Sequence, residues 1–168
     1  MRMLAPRPLL AVVGMVGVGA LLLAAFLQHA RGFEPCPWCV LQRLVLLVVT
    51  AFAWLGVALA GRAPALGRGA GVLALVFSLW GIAAALYQHF VAARSPSCAL
   101  TLADRIVVGL GLPDLWPAMF EATARCDEAD LPWLGVPFSL WGALTFLIAA
   151  GACALAIRPG TWQSHARP

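Results

Sequence analysis

Apolar residues in this chain occur in long continuous runs, without the apolar–polar alternation typical of membrane strands. Four runs cover residues 9–27, 40–60, 71–90 and 138–157. Each is close to the ~20 residues that a helix needs to cross ~30 Å of hydrocarbon. A helix satisfies its own backbone hydrogen bonds within the bilayer, so these runs predict helices. We therefore expect an all-α membrane protein: a four-transmembrane-helix bundle forming one integral domain over residues 1–168.

The first run also has some features of a signal peptide, since Arg2 and Arg7 precede it. Its apolar core is longer than the usual ~7–15 residues. In the sequence LQHA, Gln28 takes the position where a cleavage site needs a small residue. We expect this run to stay in the protein as the first span.

The connecting segment 91–137 contains a shorter periodic stretch, LADRIVVGLGL, at residues 102–112. Its apolar residues recur at near-helical spacing, at Leu102, Ile106, Val107 and Leu110. Such spacing predicts a short amphipathic helix on the bilayer surface. Gly109 and Gly111 weaken the helical tendency of its end.

Composition supports a membrane protein and argues against two other classes. The chain is 62% hydrophobic and 11% charged, whereas soluble domains have about 45–50% and about 25%. The net charge is +4, but no aromatic–basic stripe or nucleic-acid motif accompanies it. We therefore expect the lipid bilayer, and no nucleic acid, among its partners.

The distribution of charge predicts the orientation of the spans. Segments 1–8, 61–70 and 158–168 contain six arginines and no acidic residue, while all seven acidic residues lie in segments 28–39 and 91–137. Short arginine-rich segments stay in the cytoplasm. Both termini are therefore predicted to be cytoplasmic, with loops 28–39 and 91–137 on the outer side.

Four of the five cysteines fall in the two outer loops. Cys36 and Cys39 lie in the first, Cys98 and Cys126 in the second, and Cys153 lies within the fourth span. Disulfides persist outside the cytoplasm, and an even number of outer cysteines suggests two pairs. Cys153 fits a small buried apolar residue.

The Cys36-x-x-Cys39 pair is compatible with several chemistries. Zinc sites usually need a second such pair or histidines, so we expect no metal. A c-type haem needs histidine where Val40 stands. A purely structural disulfide across so short a loop would stabilise the fold little. Redox chemistry is the interpretation that we favour.

The position of Cys39 strengthens this interpretation. It lies at the start of the second span, near free backbone N–H groups and the positive end of the helix dipole. Arg43 follows four residues later on the same helical face. Both features favour the thiolate, which is the reactive form of cysteine. The alternative role for Arg43 is that of an interfacial residue whose charge reaches the head groups.

These residues, taken in order, resemble the disulfide-bond formation protein B (DsbB) family. The matching segments are LQHARGFEPCPWCVLQR, LYQHF at the end of the third span, and WLGVPFSLWG before the fourth. The similarity covers all four spans and both outer loops. Gln42 departs from the family pattern, in which some members have glutamate, and His89 lies rather close to Cys98 in sequence.

The resemblance implies a quinone-dependent protein-disulfide oxidoreductase of the bacterial inner membrane. Such an enzyme reoxidises a periplasmic thioredoxin-fold thiol oxidase (DsbA-like) and passes two electrons to a membrane quinone, ubiquinone or menaquinone. The resemblance also implies roles for individual residues. Cys98 would form the mixed disulfide, Cys126 would attack Cys36, and Cys39 would be released as a thiolate. Cofactor-binding roles would fall to Arg43 and His89.

Two alternatives remain open at the level of sequence. A vitamin-K-epoxide-reductase-like oxidase also has four helices and a Cys-x-x-Cys pair, but its pair lies near the end of the bundle. A non-catalytic disulfide-stapled membrane scaffold would contain the same cysteines without turnover. The sequence does not specify the quinone, the partner's identity or the oligomeric state.

Overall fold

The computed structural model describes residues 5–94, 101–158 and 162. Within these ranges the elements are, in order, α1 (Pro6–Arg31), α2 (Pro37–Leu59), α3 (Pro64–Phe90), a 3-10 turn (Ala92–Arg94), α4 (Leu102–Gly109), α5 (Leu112–Leu115), α6 (Pro117–Phe120), α7 (Cys126–Ala129), β1 (Pro132–Trp133), β2 (Val136–Pro137) and α8 (Phe138–Ala156).

Helices α1, α2, α3 and α8 are each long and apolar enough to cross a membrane. This confirms the predicted all-α membrane fold. The helix starts differ from the apolar runs, since α2 begins at Pro37 and α3 at Pro64. Proline suits the first turn of a helix because its fixed φ is already helical and its missing N–H has no partner there. The helices therefore begin before the apolar runs do.

The four long helices form a ring in the order α1, α2, α3, α8, in which each packs mainly against its two neighbours. Large apolar side chains on the outside of this ring are exposed, for example Met15, Leu22 and Phe26 on α1. Exposure of such side chains would be unfavourable in water but suits contact with lipid. The chain is therefore a multi-pass membrane protein.

Glycines allow close approach of the helices at two positions. A Cβ atom at Gly81 of α3 would overlap the ring of Phe146 on α8, and one at Gly17 of α1 would overlap Thr50 of α2. Phe146 is buried, so its ring occupies the space that the absent side chain leaves. Small residues at helix interfaces are a common packing device in membranes.

The segment between α3 and α8 covers one end of the bundle. The predicted short helix is present as α4, which Thr101 and Asp104 begin with a reciprocal capping box. It packs against α2, and Val107 is buried while Leu102 and Leu110 are exposed. The apolar residues of α4 are therefore divided between the contact with α2 and the exposed surface.

A short hairpin follows and leads directly into α8. Strands β1 and β2 pair antiparallel, with Trp133 opposite Val136. The turn places Leu134 at φ 54 and Gly135 at φ 80, the left-handed pair that two-residue hairpins need. The indole N–H of Trp141 on α8 donates to the carbonyl of Trp133 over 3.0 Å. The hairpin is thereby fixed against the start of α8.

Candidate active site

The Cys36–Cys39 pair lies at the N-terminal end of α2. Cys36 is the N-cap residue, and its sulfur accepts a hydrogen bond from the backbone N–H of Cys39 over 3.4 Å. The two Sγ atoms are 3.1 Å apart, against about 2.05 Å for a disulfide bond. The structure therefore presents them as neighbouring thiols.

The segment between α3 and α8 brings Cys126 to this pair. The backbone N–H groups of Thr123 and Ala124 both donate to the carbonyl of Pro35, over 3.0 Å and 3.3 Å. Burial raises the pKa of the Cys36 thiol well above its ordinary value, and the neighbouring thiol of Cys126 raises it further. Cys36 thus lies within reach of Cys126 as well as Cys39. The predicted partner of Cys126, Cys98, lies outside the described residues.

Beside Cys39 there is a cavity of about 140 Å³. Its walls come from α1, α2, α3, α8 and the hairpin, and are largely apolar and aromatic. The lining residues most relevant to chemistry are Cys39, Gln42, Arg43, Gln88, Trp133 and Phe146. An apolar cavity with a few converging polar groups is typical of a small-molecule site.

Arg43 is one turn below Cys39 and is buried. Its Nη1 donates to the Gln28 side-chain oxygen and, over 3.1 Å, to the carbonyl of Met119. The guanidinium also interacts electrostatically with Cys39 and Cys36. Within residues 5–94 and 101–158, no carboxylate forms a salt bridge with it. A buried cation without a carboxylate is costly at membrane depth, which marks it as a candidate functional group.

The site also contains two glutamines that the sequence interpretation did not assign to it. Gln88 of α3 is fully buried, and its Nε2 donates to the Sγ of Cys39 over 3.1 Å. The Nε2 of Gln42 in turn donates to the Oε1 of Gln88. A signal was present in the sequence, since both are uncharged polar residues inside apolar runs beside Arg43 and His89. Which side chain they would contact depends on the packing of α2 against α3.

His89 makes different contacts from those that the prediction implied. Its Nδ1 is 3.0 Å from Oδ2 of Asp130 and 3.1 Å from Oγ of Ser139. Oδ1 of the same aspartate accepts the Ser139 backbone N–H over 2.9 Å. His89 is not among the residues that line the cavity, although Ser139 is. It joins the end of α3 to the start of α8, and its role toward a cofactor stays a prediction.

Two further predictions concern Cys153 and metal binding. Cys153 is fully buried in α8, and in the part of the chain that the structure describes it forms no hydrogen bond with Cys36 or Cys39. Over the described ranges, no group of three or more histidine, cysteine, aspartate or glutamate side chains is arranged to hold a metal ion.

Comparison with known proteins gives one consistent result. The family model of "Disulfide bond formation protein DsbB" matches residues 6–156. The "Disulfide bond formation protein B" of Pseudomonas syringae pv. tomato is 34% identical over 145 residues, covering 84% of this chain and 83% of that relative. "Disulfide bond formation protein B" of Polaromonas sp. is 32% identical, with 86% of both chains covered. A third relative, "Disulfide bond formation protein B 1" of Pseudomonas putida, is 30% identical, with 86% and 85% covered.

Proposed function

This chain belongs to the disulfide bond formation protein DsbB family, and on that premise we propose that it is a membrane thiol oxidase. Its proposed role is to reoxidise a periplasmic thioredoxin-fold disulfide donor (DsbA-like) and to pass the two electrons to a membrane quinone. The observation that carries this proposal is the position of the Cys36–Cys39 pair, between Cys126 on one side and an apolar cavity on the other.

The proposed exchange begins at the second loop. The reduced partner would attack Cys98 of a Cys98–Cys126 disulfide and form a mixed disulfide with it. The partner's second thiol would then break this bond, so that the partner departs with its own disulfide and Cys98 and Cys126 remain as thiols. Cys126 would then attack the Cys36 sulfur of a Cys36–Cys39 disulfide, which forms a Cys36–Cys126 bond and releases Cys39 as a thiolate. The hydrogen bonds from Thr123 and Ala124 to Pro35 support this step, because they hold the two loops together without a covalent bond.

The cavity residues fit a quinone head group. Aromatic and aliphatic walls suit its ring, while Arg43, Gln42 and Gln88 bring N–H donors to the same space as the Cys39 sulfur. A bound quinone would supply an acceptor for two electrons and two protons. Arg43 is the group we propose to hold it, since a buried guanidinium attracts an oxygen atom that gains negative charge. His89 would act at most through Ser139, which lines the cavity.

We further propose that the cysteines act on the periplasmic side of the bacterial inner membrane. The distribution of arginines supports this orientation, since six lie in the segments predicted to be cytoplasmic. The same side is the one where disulfides persist. The match to the DsbB family favours this proposal over a vitamin-K-epoxide-reductase-like oxidase.

The proposal is tested with purified full-length protein, a quinone and a reduced thioredoxin-fold partner. We expect quinone absorbance to fall as the partner becomes oxidised. Cys39→Ser is expected to lower turnover by at least 100-fold, because no disulfide can then form at residues 36 and 39. Cys153→Ala is the matched control and is expected to retain activity, since that buried cysteine lies outside the site.

A Cys39→Ser variant that oxidises the partner as fast as the unmodified protein would contradict the proposal. That result would instead support a disulfide-stapled scaffold. A partner variant with one cysteine should also be trapped by the unmodified protein and not by Cys98→Ala. Trapping of equal yield through Cys126 would contradict the assignment of Cys98 as the entry cysteine.

A further inference from the structure

We propose that Gln88 is a catalytic residue that stabilises the released Cys39 thiolate, and that Gln42 is the positioning residue that orients its amide. The proposal rests on the proposed thiol-oxidase function and assigns roles to two residues to which the sequence interpretation gave none. It begins from one contact: the Nε2 group of Gln88 donates to the Cys39 sulfur over 3.1 Å.

The orientation of the Gln88 amide is fixed by its neighbour. Gln42 donates from Nε2 to the Oε1 of Gln88, so the oxygen of Gln88 is occupied and its N–H groups face the sulfur. The Oε1 of Gln42 lies toward Gly142, where a Cβ atom would come within 2.5 Å of it. The absent side chain at Gly142 therefore leaves the space that the Gln42 amide needs.

Both amides of this pair are buried. Gln88 is 0% exposed and Gln42 is 9% exposed. Buried polar groups at membrane depth are unfavourable unless each one is hydrogen-bonded. The bond between the two amides uses the oxygen of Gln88 and leaves its Nε2 donors to find another acceptor. That acceptor is the Cys39 sulfur, which also lines the cavity.

The interaction is expected to be stronger for one redox state than for the other. Hydrogen bonds to a charged acceptor are roughly twice as strong as those between neutral groups. The donor therefore stabilises a Cys39 thiolate more than the sulfur of a Cys36–Cys39 disulfide. Stabilising the reduced form makes the disulfide a stronger oxidant. A stronger oxidant favours the proposed transfer of electrons from Cys126 to this pair.

Both groups are amides, so they add no negative charge beside the sulfur. A carboxylate at either position would repel the thiolate unless it were protonated. Among the described residues, the charge that acts on the sulfur is that of Arg43. Gln88 on α3 and Arg43 on α2 thus favour the same state of Cys39.

The test is the equilibrium of the Cys36–Cys39 pair with glutathione, measured in full-length protein carrying Cys98→Ala and Cys126→Ala, without added quinone. The balanced reaction converts the protein disulfide and two glutathione thiols into the protein dithiol and one glutathione disulfide. We expect Gln88→Leu to disfavour the protein dithiol about tenfold, which makes the potential about 30 mV more negative. Gln42→Leu is expected to shift it in the same direction by less.

Ser78→Ala is the matched control, because Ser78 is a buried polar residue of α3 that bonds only within its own helix over 2.7 Å. It should leave the potential unchanged. An unaltered potential in Gln88→Leu overturns the proposal, as does an equal shift in Ser78→Ala, since packing would then explain both. If Gln88→Leu does not fold, an unaltered potential in Gln42→Leu overturns it.

A second measurement separates reactivity from packing. In a Cys36→Ser background, Gln88→Leu should slow alkylation of Cys39 by iodoacetamide at neutral pH, while Ser78→Ala should not. Equal rates in all three proteins would contradict the proposal. Failure of the proposed function itself would show differently, as absence of quinone-linked turnover in the unmodified protein, and would leave the glutathione equilibrium measurable.

Discussion

At the scale of single residues, Arg43 both contacts the segment between α3 and α8 and lines the cavity. Its guanidinium donates to the carbonyl of Met119, which fixes α6 against α2, and it lines the cavity beside Cys39. The same side chain therefore holds the second loop and offers positive charge to the site. Arginine suits both tasks because its planar group donates in several directions at once.

Replacement of this residue is expected to weaken cofactor binding. Arg43→Ala should raise the quinone concentration needed for half-maximal turnover by about tenfold or more, because the buried donor that is proposed to hold the quinone is lost. Arg43→Lys retains the charge with fewer donors, so its half-maximal quinone concentration should lie between those of the unmodified protein and Arg43→Ala. Steady-state kinetics in detergent measure the effect, and thermal unfolding monitors the contact with Met119. An unchanged Michaelis constant and rate in Arg43→Ala would refute the cofactor role.

At the scale of elements, the close packing of α3 against α8 depends on a glycine, Gly81. Gly81 faces the ring of Phe146, which is almost fully buried. These two helices carry Gln88 and Ser139, both of which line the cavity. The separation of α3 and α8 therefore determines the width of the site as well as the stability of the bundle.

Gly81→Ala is expected to destabilise the protein by about 1–3 kcal/mol, because the added methyl group forces the helices apart. Gly69→Ala is the matched control on the same helix, since a Cβ atom there meets nothing within 4 Å. That variant should be neutral or more stable by up to about 1 kcal/mol. Thermal unfolding in detergent compares the two. Equal stability would show that the interface adjusts without cost.

At the scale of the whole molecule, the ring of four helices and the segment between α3 and α8 have different roles. The ring supplies a largely apolar cavity with aromatic walls, and the segment 101–137 brings Cys126 and Met119 onto the start of α2. Exchange with a soluble partner needs exposed sulfur, whereas a lipid-soluble acceptor needs a site at membrane depth. The Cys36–Cys39 pair meets the second need, because Cys36 is buried and Cys39 lines the cavity. Under the proposed function, the first need would be met by Cys98.

The predicted orientation can be tested in cells with single cysteines in a cysteine-free background. Glu121→Cys lies in the outer segment, and Gly61→Cys lies between α2 and α3; both positions are exposed. A membrane-impermeant maleimide should label Glu121→Cys in intact cells and Gly61→Cys only after the inner membrane is opened. The reverse pattern would place residues 36 and 39 in the cytoplasm, and the proposed reaction would fail with it.

The sequence alone determined the number and type of the spans, and the spacing of residues placed Arg43 one turn from Cys39. These features depend on local properties: the length of an apolar run, the charge of its flanks and the spacing of residues within one turn. The helix starts at Pro37 and Pro64 were also readable in principle, because proline acts on its own turn. The family resemblance followed from the same local motifs, and the comparison confirmed it.

Only the tertiary structure decided which distant groups meet. The bond from Gln88 to Cys39 joins residues 49 apart in the chain, and the contact of His89 with Asp130 joins residues 41 apart. Neither pair can be found from spacing, because helix rotation and the fold of the outer segment set which side chains face each other. The same packing gave Gln88 the place beside the sulfur and directed His89 toward α8.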